Sequence, residues 1–278
     1  MKKAISIFFL FVVLLGSSAF AQTIARSVVS TAGGTLSGGG YSINYNIGET
    51  LISTLSSGSN MITQGFEQPT ESSLNLTVFI QGYYQNIGSS TPMDNYGSGG
   101  ALFINGLSVN ANDADNIEVS LMDPQNGSLV ESQTGVLHTD GSLSVRFSET
   151  RVGNSYWLRV RHRNSIETWS AAPVQMTVTK PYNFSASADK AYGNNQVEVE
   201  TGVWAIYSGD IVDADTQTAG VQDGVIESSD YSQMENDVYN VLDGYVLADI
   251  TGDGVVESAD YSIMENNVYL VISVMRPF

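Results

Sequence analysis

The feature that most constrains this chain is a duplication in its last third. Residues 223–239 recur thirty positions later as residues 253–269, with 13 identities in 17 aligned positions. A repeat of this length is one supersecondary unit, so the segment reads as two copies of a loop feeding a helix. In each copy apolar residues return at i, i+3 and i+7, as Tyr231, Met234 and Val238 and as Tyr261, Met264 and Val268. That spacing gives each helix one buried face. Ser258, ahead of the second helix, is a residue type that caps helix N-termini.

The loop ahead of the second helix has the pattern of a cation site. Asp249, Thr251, Asp253, Glu257 and Asp260 stand at loop positions 1, 3, 5, 9 and 12, with Gly254 at position 6. Calcium takes about six to eight oxygen ligands at roughly 2.3–2.6 Å, and a short loop wraps it only by turning sharply midway. Glycine permits that turn. Val255 at position 7 would add its carbonyl, and Val256 at position 8 would anchor the loop in the core. The first copy departs from this scheme, because counting back from Asp223 meets Ala219 and Val221, which carry no ligand side chain. Asp210, in the same local context as Asp249, restores position 1 if nine residues loop out. The expected first site is then Asp210, Asp223 and Asp230, with Asp213 or Asp215 and the Val225 carbonyl assisting. Loop closure entropy grows slowly enough with length to allow this. Two Ca²⁺ sites are expected, in place of the solvated Asp-Gly turns that such residues also form.

The rest of the chain reads as β structure. Lys2 and Lys3, an apolar run over 5–15 and the Ala19-Phe20-Ala21 sequence make a secretory signal peptide over residues 1–21; the run breaks at Gly16, short of a membrane span. Residues 22–69 form a small β-domain: Tyr41, Ile43, Tyr45 and Ile47 alternate with polar residues between glycine-rich turns, a β-meander pattern. Beyond the polar stretch 68–73, alternating runs at 74–80, 117–121, 143–147, 156–160 and 174–178 predict an antiparallel, immunoglobulin-like β-sandwich over 74–200. The loop-helix module occupies 201–278. The predicted fold class is therefore mainly β with a small α C-terminal module.

Charge excludes one class of function. Lys and Arg number 11 against 29 Asp and Glu, a net charge of −18, which gives no basic footprint for nucleic acid. Cysteine is absent, and the two histidines carry any His-based catalysis. His138 sits beside a turn, and His162 falls on the core side of the run 157–163, where a hydrogen-bonded core role outweighs a catalytic base. No phosphate loop or zinc-protease motif appears, and a non-enzyme is expected. On the opposite side of that run, Trp157, Arg159, Arg161 and Arg163 would either bind an anion or a sugar by stacking or pair with acidic neighbours. Trp169 and Trp204 read as core or interface aromatics.

The duplicated segment resembles the dockerin family: two calcium loop-helix units, each closing its loop with Asp where ordinary EF-hands use Glu. Asp249, Asp253, Gly254 and Asp260 match that pattern, as do Gly224 and Asp230. Thr251 stands where the family usually has Asn or Asp. Loop positions 10 and 11, which contribute to cohesin recognition in cellulosomal dockerins, are Ser228-Ser229 and Ser258-Ala259, and Glu235-Asn236 and Glu265-Asn266 replace the family's later basic residues. The stretches 25–29 through 63–69, 160–170, 191–195 and 203–210 are similar to secreted Gram-negative surface proteins of the type IX export system. The resemblance implies a secreted or cell-surface protein, with the periplasm as the other location, and no transmembrane segment after signal cleavage. It implies a protein partner, cohesin-like or another surface component. The alternatives are a carbohydrate-binding adhesive protein and an accessory subunit of a polysaccharide-degrading assembly.

Overall fold

Alternation of apolar and polar residues sets most of the architecture. The computed structural model describes the strands between residues 32 and 63 by their backbone and residues 71–278 in full. The expected signal peptide at 1–21 lies outside the described residues, as do residues 68–70 of the polar stretch. In the N-terminal unit, Met1–Pro69, β1 (Ala32–Gly38) pairs antiparallel with β2 (Tyr41–Ile47), and β3 (Thr54–Ser57) with β4 (Asn60–Thr63). The alternating run at 41–47 is thus a strand, within hairpins of two strands each.

The second unit, Thr70–Phe278, is built on two sheets. One has the order β10–β9–β6–β7, from β10 (Ser165–Trp169), β9 (Ser155–His162), β6 (Asp113–Met122) and β7 (Leu129–His138); β11 (Val174–Gln175) joins at β9. The other has the order β12–β5–β8, from β12 (Thr179–Asn183), β5 (Ser72–Thr77) and β8 (Ser142–Phe147). Leu74 and Leu76 of β5, Val145 and Phe147 of β8, Ile117 and Val119 of β6, and Leu158 and Val160 of β9 meet in one buried core. These are the residues that period-two alternation selects, because successive side chains point to opposite faces. A one-turn helix, α1 (Ala101–Ile104), packs beside β6.

The sandwich differs from the expected antiparallel form at one strand. β12 runs parallel to β5, with Pro181 opposite Asn75. β12 bonds to β5 alone, so Pro181, which has no N–H to donate, sits on an edge where its loss is tolerated. The expected boundary at 200/201 falls inside a hairpin of β13 (Val197–Glu200) and β14 (Val203–Ala205). Ala205 and Ile206 belong to the sandwich core, so the sandwich reaches past that boundary.

Beyond it lie a short hairpin, β15 (Val212–Asp213) with β16 (Thr218–Ala219), and the two repeated helices, α2 (Ser228–Tyr239) and α3 (Ser258–Tyr269). Met234 and Met264 are fully buried, in a second core with Ile211, Ile226, Ala248 and Ile250. Tyr231, Val238, Tyr261 and Val268 pack around it, as the helical spacing requires. The helices begin one residue earlier than a Ser258 cap implies: Glu227 and Glu257 are the N-caps, and their N–H groups donate to Asp230 Oδ2 (2.9 Å) and Asp260 Oδ2 (2.8 Å). Asp at the third helical position can reach back to that orphan donor, which serine at the first cannot. Among the described residues, no helix is long and apolar enough to cross a membrane.

Candidate metal centre

The second loop closes on itself through its carboxylates. Asp249 Oδ1 accepts from the N–H groups of Gly252 (2.8 Å) and Asp253 (3.1 Å), and Oδ2 from Gly254 (3.0 Å). Asp260, at the start of α3, accepts at Oδ1 from Thr251 N–H (2.9 Å), and Asp253 Oδ1 accepts from Val255 N–H (2.9 Å). Gly254 has φ +85°, the left-handed turn that loop position 6 demands. Asp249, Asp253 and Asp260 are thus drawn into one loop, with Thr251 buried beside them. Val255 and Glu257 lie at its exposed rim.

The first loop repeats this frame with one change. Asp230 Oδ1 accepts from Ile211 N–H (2.8 Å) and Val212 N–H (3.0 Å), matching Thr251 on Asp260. Asp223 Oδ1 accepts from Val225 N–H (2.9 Å), and Gly224 has φ +87°. Asp210 therefore occupies the place of Asp249. The extra residues form the β15–β16 hairpin, which replaces the short turn around Asp249. Asp213 is spent inside that hairpin, where its Oδ1 caps Thr216 N–H (2.7 Å), and Asp215 is exposed. The hairpin thus gives Asp213 a partner of its own and leaves Asp215 at the surface. Its inner end does contribute, because Ala214 N–H donates to Asp223 Oδ2 (2.9 Å).

The change leaves Asp210 without its sister's partners. Asp210 is 0% exposed, and neither carboxylate oxygen accepts a hydrogen bond of ordinary geometry. Burial, then the charges of Asp230 and Asp223, push its pKa up to about 8; the Gly224 and Asp223 amides face it and pull slightly downward, but close no bond of ordinary geometry. Burial likewise raises Asp230 to about 6, against the amides that bond it. Asp249 rises to about 7 through burial, with Arg163 opposing and Asp260 adding to the shift, and burial also raises Asp260. Among the described residues, no three His, Cys, Asp or Glu side chains converge closely enough to hold an ion by themselves. A loop of this class completes its shell with carbonyls and water.

Each loop is also braced by the other repeat. The segment after α3 pairs with the first loop, Ile226 N–H to Ile272 O (2.8 Å) and Val274 N–H to Gly224 O (2.7 Å), and the segment after α2 pairs with the second, Gly244 N–H to Gly254 O (2.8 Å). The two loops are thereby tied at their turning glycines.

Sequence patterns did not point to Asp115, which is fully buried where sandwich and repeats meet. It accepts from Tyr83 OH (2.5 Å), Arg163 Nε (3.0 Å) and the Tyr245 hydroxyl, and His162 Nε2 lies 3.0 Å away, off the line of a hydrogen bond. Burial by itself would raise its pKa, but His162, Arg163 and the Tyr245 hydroxyl hold the carboxyl well below the usual range. His162 is fully enclosed, its Nδ1 2.9 Å from Ser165 Oγ, and burial lowers its pKa. His138 pairs with Asp113 (3.1 Å). The arginines of β9 and of the turn after it are engaged: Arg159 with Glu118 (3.1 Å), Arg163 with Asp115, and Arg161 3.9 Å from Glu167. Trp157 makes T-shaped contacts with Tyr192 and Phe278.

No family model matches the chain, and no curated protein matches it. Among solved structures the chain is similar to one from Acetivibrio cellulolyticus, described as an N-terminal interface mutant of a type II cohesin–X-dockerin complex. The identity is 11% and the TM-score 0.36, over 70% of this chain and 94% of that chain. A likeness at this level fixes neither fold nor partner.

Proposed function

We propose that the segment beyond Ile206, residues 207–278, is a dockerin-like, calcium-dependent attachment module of an exported, non-catalytic protein. Asp210, Asp223, Asp230 and the Val225 carbonyl would hold one Ca²⁺, and Asp249, Thr251, Asp253, Glu257, Asp260 and the Val255 carbonyl the other. The observation that carries the reading is Asp210. A carboxylate buried with no hydrogen bond of ordinary geometry on either oxygen, beside two further carboxylates, is a destabilising arrangement unless a cation joins it. The donor set is all oxygen, as a hard cation prefers. Bound there, Ca²⁺ would supply positive charge that offsets the mutual repulsion of these carboxylates and so add folding free energy. Attachment to a protein partner is supported by the matched apolar residues left exposed past the two helices, Tyr239 with Val241 and Tyr269 with Val271. The engaged states of His138 and His162 support a non-catalytic reading.

Isothermal titration of the mature chain with CaCl₂, after exhaustive treatment with EDTA, tests the ion. Two bound ions are expected, falling to one in Asp210→Asn and to one in Asp260→Asn; no heat in the wild type would overturn the reading. Pull-down from a surface fraction of the source organism, with and without calcium, tests attachment, and capture that ignores EDTA counts against it.

A further inference from the structure

The turn between β9 and β10, residues 162–165, belongs to the sandwich, yet it holds the first residue of the second loop directly and that of the first loop through Gln222. Asn164 is fully buried; its Nδ2 donates to the carbonyls of Leu247 (3.1 Å) and Asp249 (3.0 Å), and its own carbonyl accepts from Gly209 N–H (2.7 Å). Arg163 donates to the Val246 carbonyl and, through Nη2, to that of Asp249 (3.3 Å). From the other loop, Gln222 Nε2 bridges the carbonyls of His162 (3.0 Å), Ser165 (2.8 Å) and Asp210 (2.8 Å). Ile166, the next residue of the sandwich, is a member of the repeats' core beside Ile211 and Ile250. The sandwich approaches the second loop so closely that a Cβ on Gly82 would lie 1.9 Å from the Ile250 carbonyl.

We infer that this turn is a shared seat for the two loops: it fixes the main chain of Asp210 and Asp249 together, so that the sandwich positions both sites and links ion binding at one to ion binding at the other. Arg163 and Asn164 are positioning residues, since they hold carbonyls and leave the carboxylates free. The seat is rigid because Arg163 is itself locked by Asp115 and by Tyr83 OH (2.8 Å). A carboxylate leaves the chain in a direction set by its own backbone, so a carbonyl held in place aims the side chain on the same residue. Groups of this kind behind a metal site alter affinity by about 10–100-fold, and a contiguous, rigid connection is what coupling between sites requires. The link between ions rests on the calcium reading; the seat itself does not.

The experiment uses the full mature chain with Asn164→Ala, and with Arg163→Lys as a second variant that keeps a charge beside Asp115 but loses the fork. Each is expected to weaken calcium at the second loop about tenfold. In the wild type, Asp260→Asn should also lower the affinity of the first loop; in the Asn164→Ala background it should not. A change that merely softened the fold would lower the melting temperature and leave that coupling in place, so persistent coupling overturns the link. Amide exchange in EDTA reads the seat without any ion. Thr251, Gly252, Ile211 and Val212 should exchange faster in the variants, while β5 and β8 stay unchanged. Equal exchange rates overturn the seat. No calcium uptake by the wild type, with faster exchange in the variants, removes the ion reading and retains the seat.

Discussion

Asp115 and Asp210 are equally inaccessible, both 0% exposed, and their surroundings are opposite. Asp115 is met by a guanidinium, an imidazole and two tyrosine hydroxyls, and its carboxyl is held ionised. Asp210 has other carboxylates for neighbours and no hydrogen bond of ordinary geometry on either oxygen, and its proton is held to about pH 8. Burial of a charge is therefore no signature by itself. What separates the two is whether the protein supplies the compensating donors. Asp249 lies between: three amides of its own loop bond it, so the second loop satisfies itself where the first does not.

The comparison breaks most visibly at Asp115. Asp115→Ala leaves the Arg163 guanidinium largely buried without its counter-charge and should cost about 3–5 kcal/mol in urea unfolding, with or without calcium. A loss under about 1 kcal/mol would mean that the cluster is not the compensated site described. Next, calcium at about 100 times its dissociation constant should stabilise the wild type by roughly 2.7 kcal/mol per site. Asp230→Asn and Asp260→Asn should each remove one such contribution in the same assay.

Asp210→Asn should act with opposite signs in the two conditions. In EDTA it removes an unsatisfied buried carboxylate and should gain about 1–3 kcal/mol; in calcium it should be destabilising. A loss in both would show that the Asp210 carboxylate is supported by the fold itself. The pH dependence sharpens the same contrast. Asp230, Asp249 and Asp210 have folded pKa values raised to about 6, 7 and 8. Their contribution is fully present below the unfolded carboxylate pKa of about 4 and is lost as pH rises through those values. Urea midpoints in EDTA should therefore fall between about pH 4 and pH 8, and calcium should flatten that fall. Asp115 has a lowered folded pKa, so its contribution is present above about pH 4 and is lost in stronger acid. The smallest expected effect is at Phe278, whose ring meets Trp157 and Trp169 edge-on beside the Arg276–Glu167 pair (2.9 Å). Phe278→Ala should cost about 1 kcal/mol and leave calcium affinity alone.

Much of the sandwich was legible because alternation is local. Tyr156, Leu158, Val160 and His162 read as one face of β9, and that face is buried. β10 was illegible for a physical reason: it is buried on both faces, Ile166 against the repeats and Trp169 under Phe278, so Glu167 and Thr168 break no visible pattern. The same holds for β7, whose half-exposed residues alternate weakly. In the candidate site, Asp210 was found by context with Asp249, and the loop hydrogen bonds place it there. The roles of Asp213 and Asp215 depended on which way the inserted residues turned, and their hairpin gives Asp213 a partner of its own.

The sequence by itself determined the two loop-helix units, the glycine turning each loop, the buried face of each helix and the carboxylates at loop positions 1, 5 and 12. All of these follow from spacings of a few residues, over which backbone geometry is fixed. Only the tertiary structure decided which buried carboxylates are compensated. It also decided that β12 lies parallel to β5, and that Arg163 and Asn164 hold the carbonyl of a residue more than eighty positions away. Those choices are made by donors and acceptors brought together across the fold, and no periodicity along the chain records them.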